Sequence, residues 1–227
     1  MNEPIRLSRR VAMLKGCSRS EAEQLIEGGW VRVDGRVVEE PQARVLDEAI
    51  EIDPAAKPAP AQPVTLLLNK LPGAVASAGP QQRAGDDRSG VRALKRHFQH
   101  LVTPMPLGAA ASGLAVLTQD GRVIRRLTED AALVEEEWIV EVAGVIAPEV
   151  VQRLGRELRG KASVNSQSET EARLRVAVKG VPSGRLAAIS AAAGLEVLAL
   201  KRLRLGRVSL GQLAPGKWRY LLPHERF

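Results

Sequence analysis

"PLGAAASGLAVLTQDGR", residues 106–122, falls into two halves of unlike character. "SGLAVLT" is an apolar run of strand length that suits a buried strand, and Asp120–Gly121 closes it as a turn. The first half is bland: Gly108, Ala109, Ala110 and Ala111 offer no side chain able to do chemistry. Such a run leading into so well-marked a strand is either a plain small-residue loop or the place of a chemical group that this chain lacks.

The sequence around it reads as alternating short elements. "VTLLLNK" (64–70) is a buried strand, and "GAVAS" (73–77) is read as another. "VRALKRHFQHL" (91–101) has Val91, Leu94 and Phe98 on one helical face, which predicts a basic helix. "GRVIRRLTED" predicts a helix after the Asp120–Gly121 turn. "EWIVEVAG" predicts a strand with Trp138, Val140 and Val142 in alternation, and "APEVVQRLGREL" a helix with Pro148 near its start. "EARLRVAVKG" predicts a strand, "SGRLAAISAAAG" a helix ending at Gly194, and "LEVLALKRLRLG" one or two strands. Strand and helix do not alternate strictly, so the fold class is α+β with a mixed or largely antiparallel sheet.

"DPAAKPAPAQP" (53–63) has four prolines and four alanines and reads as a semi-extended tether. It divides the chain into a small domain (1–53), a linker (54–63) and a larger domain (64–227). In the small domain Leu7, Val11 and Leu14 give one short helix its apolar stripe. Ser18 with Glu21 is a capping box that opens a second helix, whose buried face is Ala22, Leu25 and Ile26 and whose end is Gly28–Gly29. "WVRVDGRVVEE" is a hairpin about an Asp34–Gly35 turn, and "AIEID" a closing strand.

The 227 residues are 44% hydrophobic but only 3% aromatic, so the core must be built from Val, Leu, Ile and Ala. One cysteine, Cys17, excludes an intrachain disulfide and fits a reducing compartment. With three histidines besides, no structural metal is expected. No run approaches the roughly 18 apolar residues of a membrane span, and the charged N-terminus does not read as a signal peptide. A cytoplasmic monomer is expected. The formal charge of +7 points to a polyanionic partner, nucleic acid before membrane. Residues 1–53 carry eight Lys/Arg against eleven Asp/Glu, and the remainder 25 against 15. Yet Arg6, Arg9, Arg10, Lys15 and Arg19 face a single acid, Glu3, in the first 20 residues. An ordinary solvated face would alternate the signs, with Arg19 and Glu23 as a plain i, i+4 pair.

"RLSRRVAMLKGCSRSEAEQLIEGGWVRVDGRVV" resembles the S-four type αL RNA-binding domain shared by a ribosomal small-subunit protein, tyrosyl-tRNA synthetases and RNA-modifying enzymes. The resemblance implies phosphate contacts at Arg6, Arg9, Arg10 and Arg19, with an anion site beside Ser18 at the second helix's amide end. Most of residues 64–222 resembles the Rsu/Rlu group of ribosomal RNA pseudouridine synthases. "LLLNKLPGAVAS" is similar to their N-K-P-x-G strand and loop, and "SGLAVLTQDGRVIRRLT" to S-x-G-L-L-L-L-T-N-D-G. "EEEWIVEVAGVI" is similar to E-K-E-Y-x-V-x-V. "GLEVLALKRLRLGRVSLGQLAPGKWRYL" is similar to the closing motif. That family uses no cofactor and acts through one aspartate in G-R-L-D-x-x-[ST]-x-G-L. The register of Gly113–Leu114 puts Gly108 at that aspartate, Pro106 at the arginine and Ala111 at the Ser/Thr. Trp138 stands at the family's base-stacking tyrosine, Glu136 at a lysine, and Ala187 and Ala188 at an arginine pair. Arg202 and Arg204 lie on a strand that the family also makes basic and are candidate RNA contacts. Asp86 and Asp87, the nearest upstream acids, read as a solvated turn.

A glycine can neither attack a sugar carbon nor take a proton. The expectation is therefore an RNA-binding protein on a synthase frame, without a catalytic residue, a cofactor or a metal, whose partner is ribosomal RNA or an assembling ribosomal subunit. The alternatives are an active synthase with its acid elsewhere and a protein-interaction scaffold.

Overall fold

The computed structural model describes residues 3–227. The chain divides into two compact units, 1–63 with 92–99, and 64–91 with 100–227.

The first unit runs β1 (Ile5–Arg6), α1 (Leu7–Lys15), α2 (Arg19–Glu27), β2 (Val31–Val33), β3 (Arg36–Val37), β4 (Arg44–Val45) and β5 (Ile50–Ile52). α1 ends at Gly16, in the left-handed conformation that glycine adopts without steric cost. α2 opens on the expected capping box: the Ser18 hydroxyl accepts the Glu21 N–H and the Glu21 carboxylate accepts the Ser18 N–H at 2.8 Å. β3, β2 and β5 form an antiparallel sheet around Asp34 and Gly35, both at positive φ. Leu7, Val11, Ala22, Leu25, Ile26, Val31 and Val45 make its core. Ala56 joins that core, so the Pro/Ala-rich segment is anchored at its start instead of being a free tether throughout.

Residues 92–99, read from sequence as part of a basic helix of the larger domain, belong to this first unit. They form a 3-10 turn at Lys95–Phe98. Arg92 stacks over Trp30 at 4.1 Å and donates to the Gly29 carbonyl, while Lys95 donates from its backbone to Glu39 and from its ammonium to Glu40. These anchors hold the preceding backbone extended, with Leu94 at φ −124°, and override the helical spacing of the apolar residues.

The second unit runs β6 (Thr65–Lys70), β7 (Ser112–Thr118), α3 (Gly121–Thr128), β8 (Glu135–Ala143), α4 (Pro148–Glu157), β9 (Lys161–Gln167), β10 (Glu171–Lys179), α5 (Ser183–Ala192), β11 (Val197–Leu205), β12 (Val208–Ser209) and β13 (Trp218–Tyr220). "GAVAS" is a turn and loop, not a strand. The sheet has the order β13-β6-β7-β11-β8-β10-β9, with β12 on β11. Only β7 and β11 pair in parallel. β6 and β7 are buried almost throughout and carry the apolar runs Leu66–Leu68 and Leu114–Leu117, because both of their faces are covered. β10 shows strict alternation, Ala172, Leu174, Val176 and Val178 inward. At the parallel pair Gly113 takes φ +94°, and a Cβ there would fall 2.3 Å from the Arg202 carbonyl oxygen, so only glycine lets β7 approach β11. The architecture is α+β. No described helix is long and apolar enough to cross a membrane.

Candidate functional site

Four cations of the first unit line one open groove, which Arg10 and Lys15 do not join. β1 pairs with β4 in a register that sets Arg6 opposite Arg44. Arg6, Arg9, Arg19 and Arg44 line a cavity of about 780 Å³ with Met13 and Cys17. Arg6 and Arg9 are exposed and Arg10 is half-buried. Among the described residues none of these three enters an ion pair. Arg19 does, to Glu23 at 2.9 Å, but both side chains are well exposed and such a pair exchanges readily for a phosphate. The expected anion site at Ser18 needs correction: the Glu21 carboxylate already occupies the amide end of α2, and those hydrogen bonds hold it below the usual carboxylate range. Arg44 was missed in the sequence, since its place in the groove depends on the β1–β4 pairing. Its Nη1 also donates to the Pro4 carbonyl.

The second unit holds the bland loop from three sides by its main chain. The Lys70 ammonium, at the end of β6, donates to the carbonyls of Leu71, Ala109 and Ala111 at 3.1, 3.0 and 2.7 Å. Burial lowers its pKa. The Gly108 N–H donates to the Ser183 hydroxyl at the start of α5, at 2.9 Å. Arg202, on β11, donates from Nε to the Leu114 carbonyl and from Nη1 to the Met105 carbonyl. The small residues therefore have a structural use: their carbonyls can converge on one ammonium. Gly108 itself is exposed and not at positive φ. A Cβ there would lie 3.0 Å from the Ser183 hydroxyl.

Arg202 is not an RNA contact in this fold. It is 1% exposed and pairs with the buried Glu136 at 3.0 Å. Its guanidinium lies 5.6 Å from the Trp138 ring. Sequence alternation marks the two faces of a strand without saying which is buried, and Arg202 lies on the buried face of β11 with Leu200. Arg204 is partly exposed but held by Glu135 and Glu137. Burial pushes Glu137 up, and hydrogen bonds from Arg204 and Arg175 more than offset this and leave it lowered. Glu136, which stands at the family's lysine, faces Arg202. Trp138, expected to stack on a base, is 1% exposed and presents no ring face to solvent. Ala187 and Ala188 lie on α5, half-buried and exposed. Pro106 is exposed in the loop. Asp86 is exposed, but the Asp87 carboxylate is not solvated: it binds Arg83 at 2.8 Å and the Ser89 N–H. Asp120 caps α3 through the Arg122 N–H. No group of three or more His, Cys, Asp or Glu able to hold a metal occurs among the described residues.

Residues 5–50 match the family model of the S4 domain. An uncharacterized RNA pseudouridine synthase of Mycobacterium bovis is 31% identical over 245 residues, covering 97% of this chain and 91% of the relative. An uncharacterized RNA pseudouridine synthase of Aquifex aeolicus is 29% identical over 97% of this chain and 94% of its own. Ribosomal large subunit pseudouridine synthase B of Bacillus subtilis is 28% identical over 97% of this chain and 93% of its own. A crystal structure of a pseudouridylate synthase superposes with a TM-score of 0.53 over 96% of both chains, at 21% identity, and shares the fold. With an S4 domain ahead of this mixed sheet and relatives aligned along nearly its whole length, the chain belongs to the RNA pseudouridine synthase family.

Proposed function

We propose that this member of the family binds ribosomal RNA, free or in an assembling subunit, and makes no pseudouridine. The observation that carries the reading is Gly108: the loop preceding β7 offers no carboxylate, and its main chain is tied down by Lys70, Ser183 and Arg202. Carboxylates of this unit with little exposure, Asp87, Glu136, Glu137 and Glu225, are each engaged by an arginine. The open arginine groove of the first unit supplies forked donors for phosphate oxygens. Ribosomal RNA as the partner is supported by the relative named for the large ribosomal subunit.

The test is tritium release from 5-tritiated ribosomal RNA incubated with the purified chain. The expected release is at background. Gly108→Asp folds, since φ permits it and only the Ser183 hydroxyl must shift. It also stays inactive, because positioning supplies much of an enzyme's rate and the pocket residues differ as well. Release above background by the unmodified protein would overturn the reading. One observation favours a second reading, an active synthase: Glu136 is a buried carboxylate on the guanidinium that holds both Met105 and Leu114. In that case Glu136→Gln abolishes the release.

A further inference from the structure

We propose a second RNA-backbone site on the larger unit, an open groove between the end of α4 and β9 whose cations Arg156, Arg159 and Lys161 receive phosphates. The groove measures about 770 Å³, and no acidic side chain lines it. All three cations are exposed, and none makes an ion pair or side-chain hydrogen bond among the described residues. The other basic strands of this unit differ: Arg173, Arg175 and Arg204 each face a glutamate.

The end of α4 shows that these cations are not needed for capping. The Gly160 N–H bonds the Gly155 carbonyl and the Arg159 N–H bonds the Arg156 carbonyl, the two hydrogen bonds of a Schellman ending. The terminal carbonyls are thus closed by main chain, which also limits the repulsion that a helix C-terminus exerts on an anion. In that ending Arg159 occupies the left-handed position, φ +50°, that glycine takes at no steric cost. The chain instead holds an arginine there with its guanidinium unpaired and in water, a placement that a ligand would explain and the fold does not.

The floor of the groove brings main chain to the surface. A Cβ on Gly160 would sit 2.3 Å from the Ala177 carbonyl oxygen, so this turn lies flat on β10. β9 is the outermost strand of the sheet and pairs only with β10. Four strand spacings separate it from β7, about 19 Å. An RNA strand reaching this groove would therefore contact the unit far from the loop at Gly108. The inference rests on the RNA-binding reading above and adds where the larger unit grips the backbone.

The experiment is a salt titration of the full chain against a fluorescently labelled fragment of large-subunit ribosomal RNA. It compares the unmodified protein, the Arg156→Ala, Arg159→Ala, Lys161→Ala triple variant, and Arg159→Gly. Three lost phosphate contacts lower the slope of log affinity against log salt by about two, and the affinities converge near 1 M salt. Arg159→Gly relieves the left-handed backbone, so it raises the thermal midpoint while lowering the slope by about 0.7. An unchanged slope in the triple variant, with steep binding by the unmodified protein, overturns the second site and leaves the RNA reading intact. Salt-insensitive or absent binding by the unmodified protein overturns both. Equal competition by polyglutamate at matched charge also overturns the proposal, by making the groove a seat for acidic protein.

Discussion

Arginine meets two opposite fates in this chain, seen most clearly at one groove of the first unit and one strand of the second. In the first, Arg6, Arg9, Arg19 and Arg44 surround an open groove and keep their guanidiniums in water. In the second, Arg202 is sealed inside the sheet, bound to Glu136 and to two backbone carbonyls of neighbouring segments. The first arrangement stores binding capacity and contributes little to folding. The second uses a charge to hold a loop: Nε and Nη1 are spent on protein groups, and Nη2 is buried without a hydrogen-bond partner among the described residues. Net charge does not register this difference, because the buried Arg202 and Glu136 cancel within it.

The largest expected effect tests the sealed side. Arg202→Met leaves the Glu136 carboxylate buried and unpaired and destabilises the larger unit by about 3–5 kcal/mol. Combining it with Glu136→Leu recovers most of that loss, because removing both partners of a buried pair is often neutral. Urea unfolding of the single and double variants measures this. A loss under 1 kcal/mol in the single variant would mean that Arg202 reaches solvent.

Tyr220 reports the same burial through titration. Its phenol is 2% exposed, and burial pushes its pKa up to about 12. The folded state then holds its proton where the unfolded chain has lost it, so stability falls as pH rises from 10 toward 12. The loss reaches about 2–3 kcal/mol. Tyr220→Phe flattens this alkaline limb in unfolding measured at several pH values. A limb unchanged by the substitution would assign it to another group.

Lys70→Met removes three donors, and the Ala111 carbonyl loses its closest partner. The expected cost is about 1–2 kcal/mol, with faster amide exchange in residues 108–112. Protection that stays at the level of the unmodified protein would show that the loop holds itself.

The smallest effect on stability belongs to the open side. Replacing Arg9, Arg10 and Arg19 together with Ala shifts stability by no more than about 0.5 kcal/mol and lowers the salt slope of RNA binding by about one unit per lost contact. An unchanged slope breaks the contrast between the units.

How far the sequence could be read follows from how local each signal is. The capping box at Ser18 and the Asp34–Gly35 turn act within a few residues, and both formed as expected. The apolar runs of β6 and β7 are likewise self-evident. β9 was missed because "KASVNSQ" lies at the sheet edge with little to bury and so lacks hydrophobic alternation. The helix expected over 91–101 failed because anchors at Trp30, Gly29, Glu39 and Glu40, far away in sequence, decide its backbone. The candidate site divides in the same way. Cations clustered within one short segment were legible, whereas the pairing of Arg202 with Glu136 spans 66 residues and needs the β8–β11 register. The proposed role of Gly108 rests on its fixed offset from Gly113, a residue that the close approach to Arg202 makes irreplaceable.

The central claim, an RNA binder on a synthase frame that makes no pseudouridine, is met most directly in cells. Pseudouridine is mapped at single-nucleotide resolution across ribosomal RNA from cells with and without the chain, alongside sites crosslinked to it by ultraviolet light. The account predicts crosslinks to ribosomal RNA and two identical pseudouridine maps. A uridine that is fully modified only when the chain is present, at or beside a crosslinked site, would contradict it.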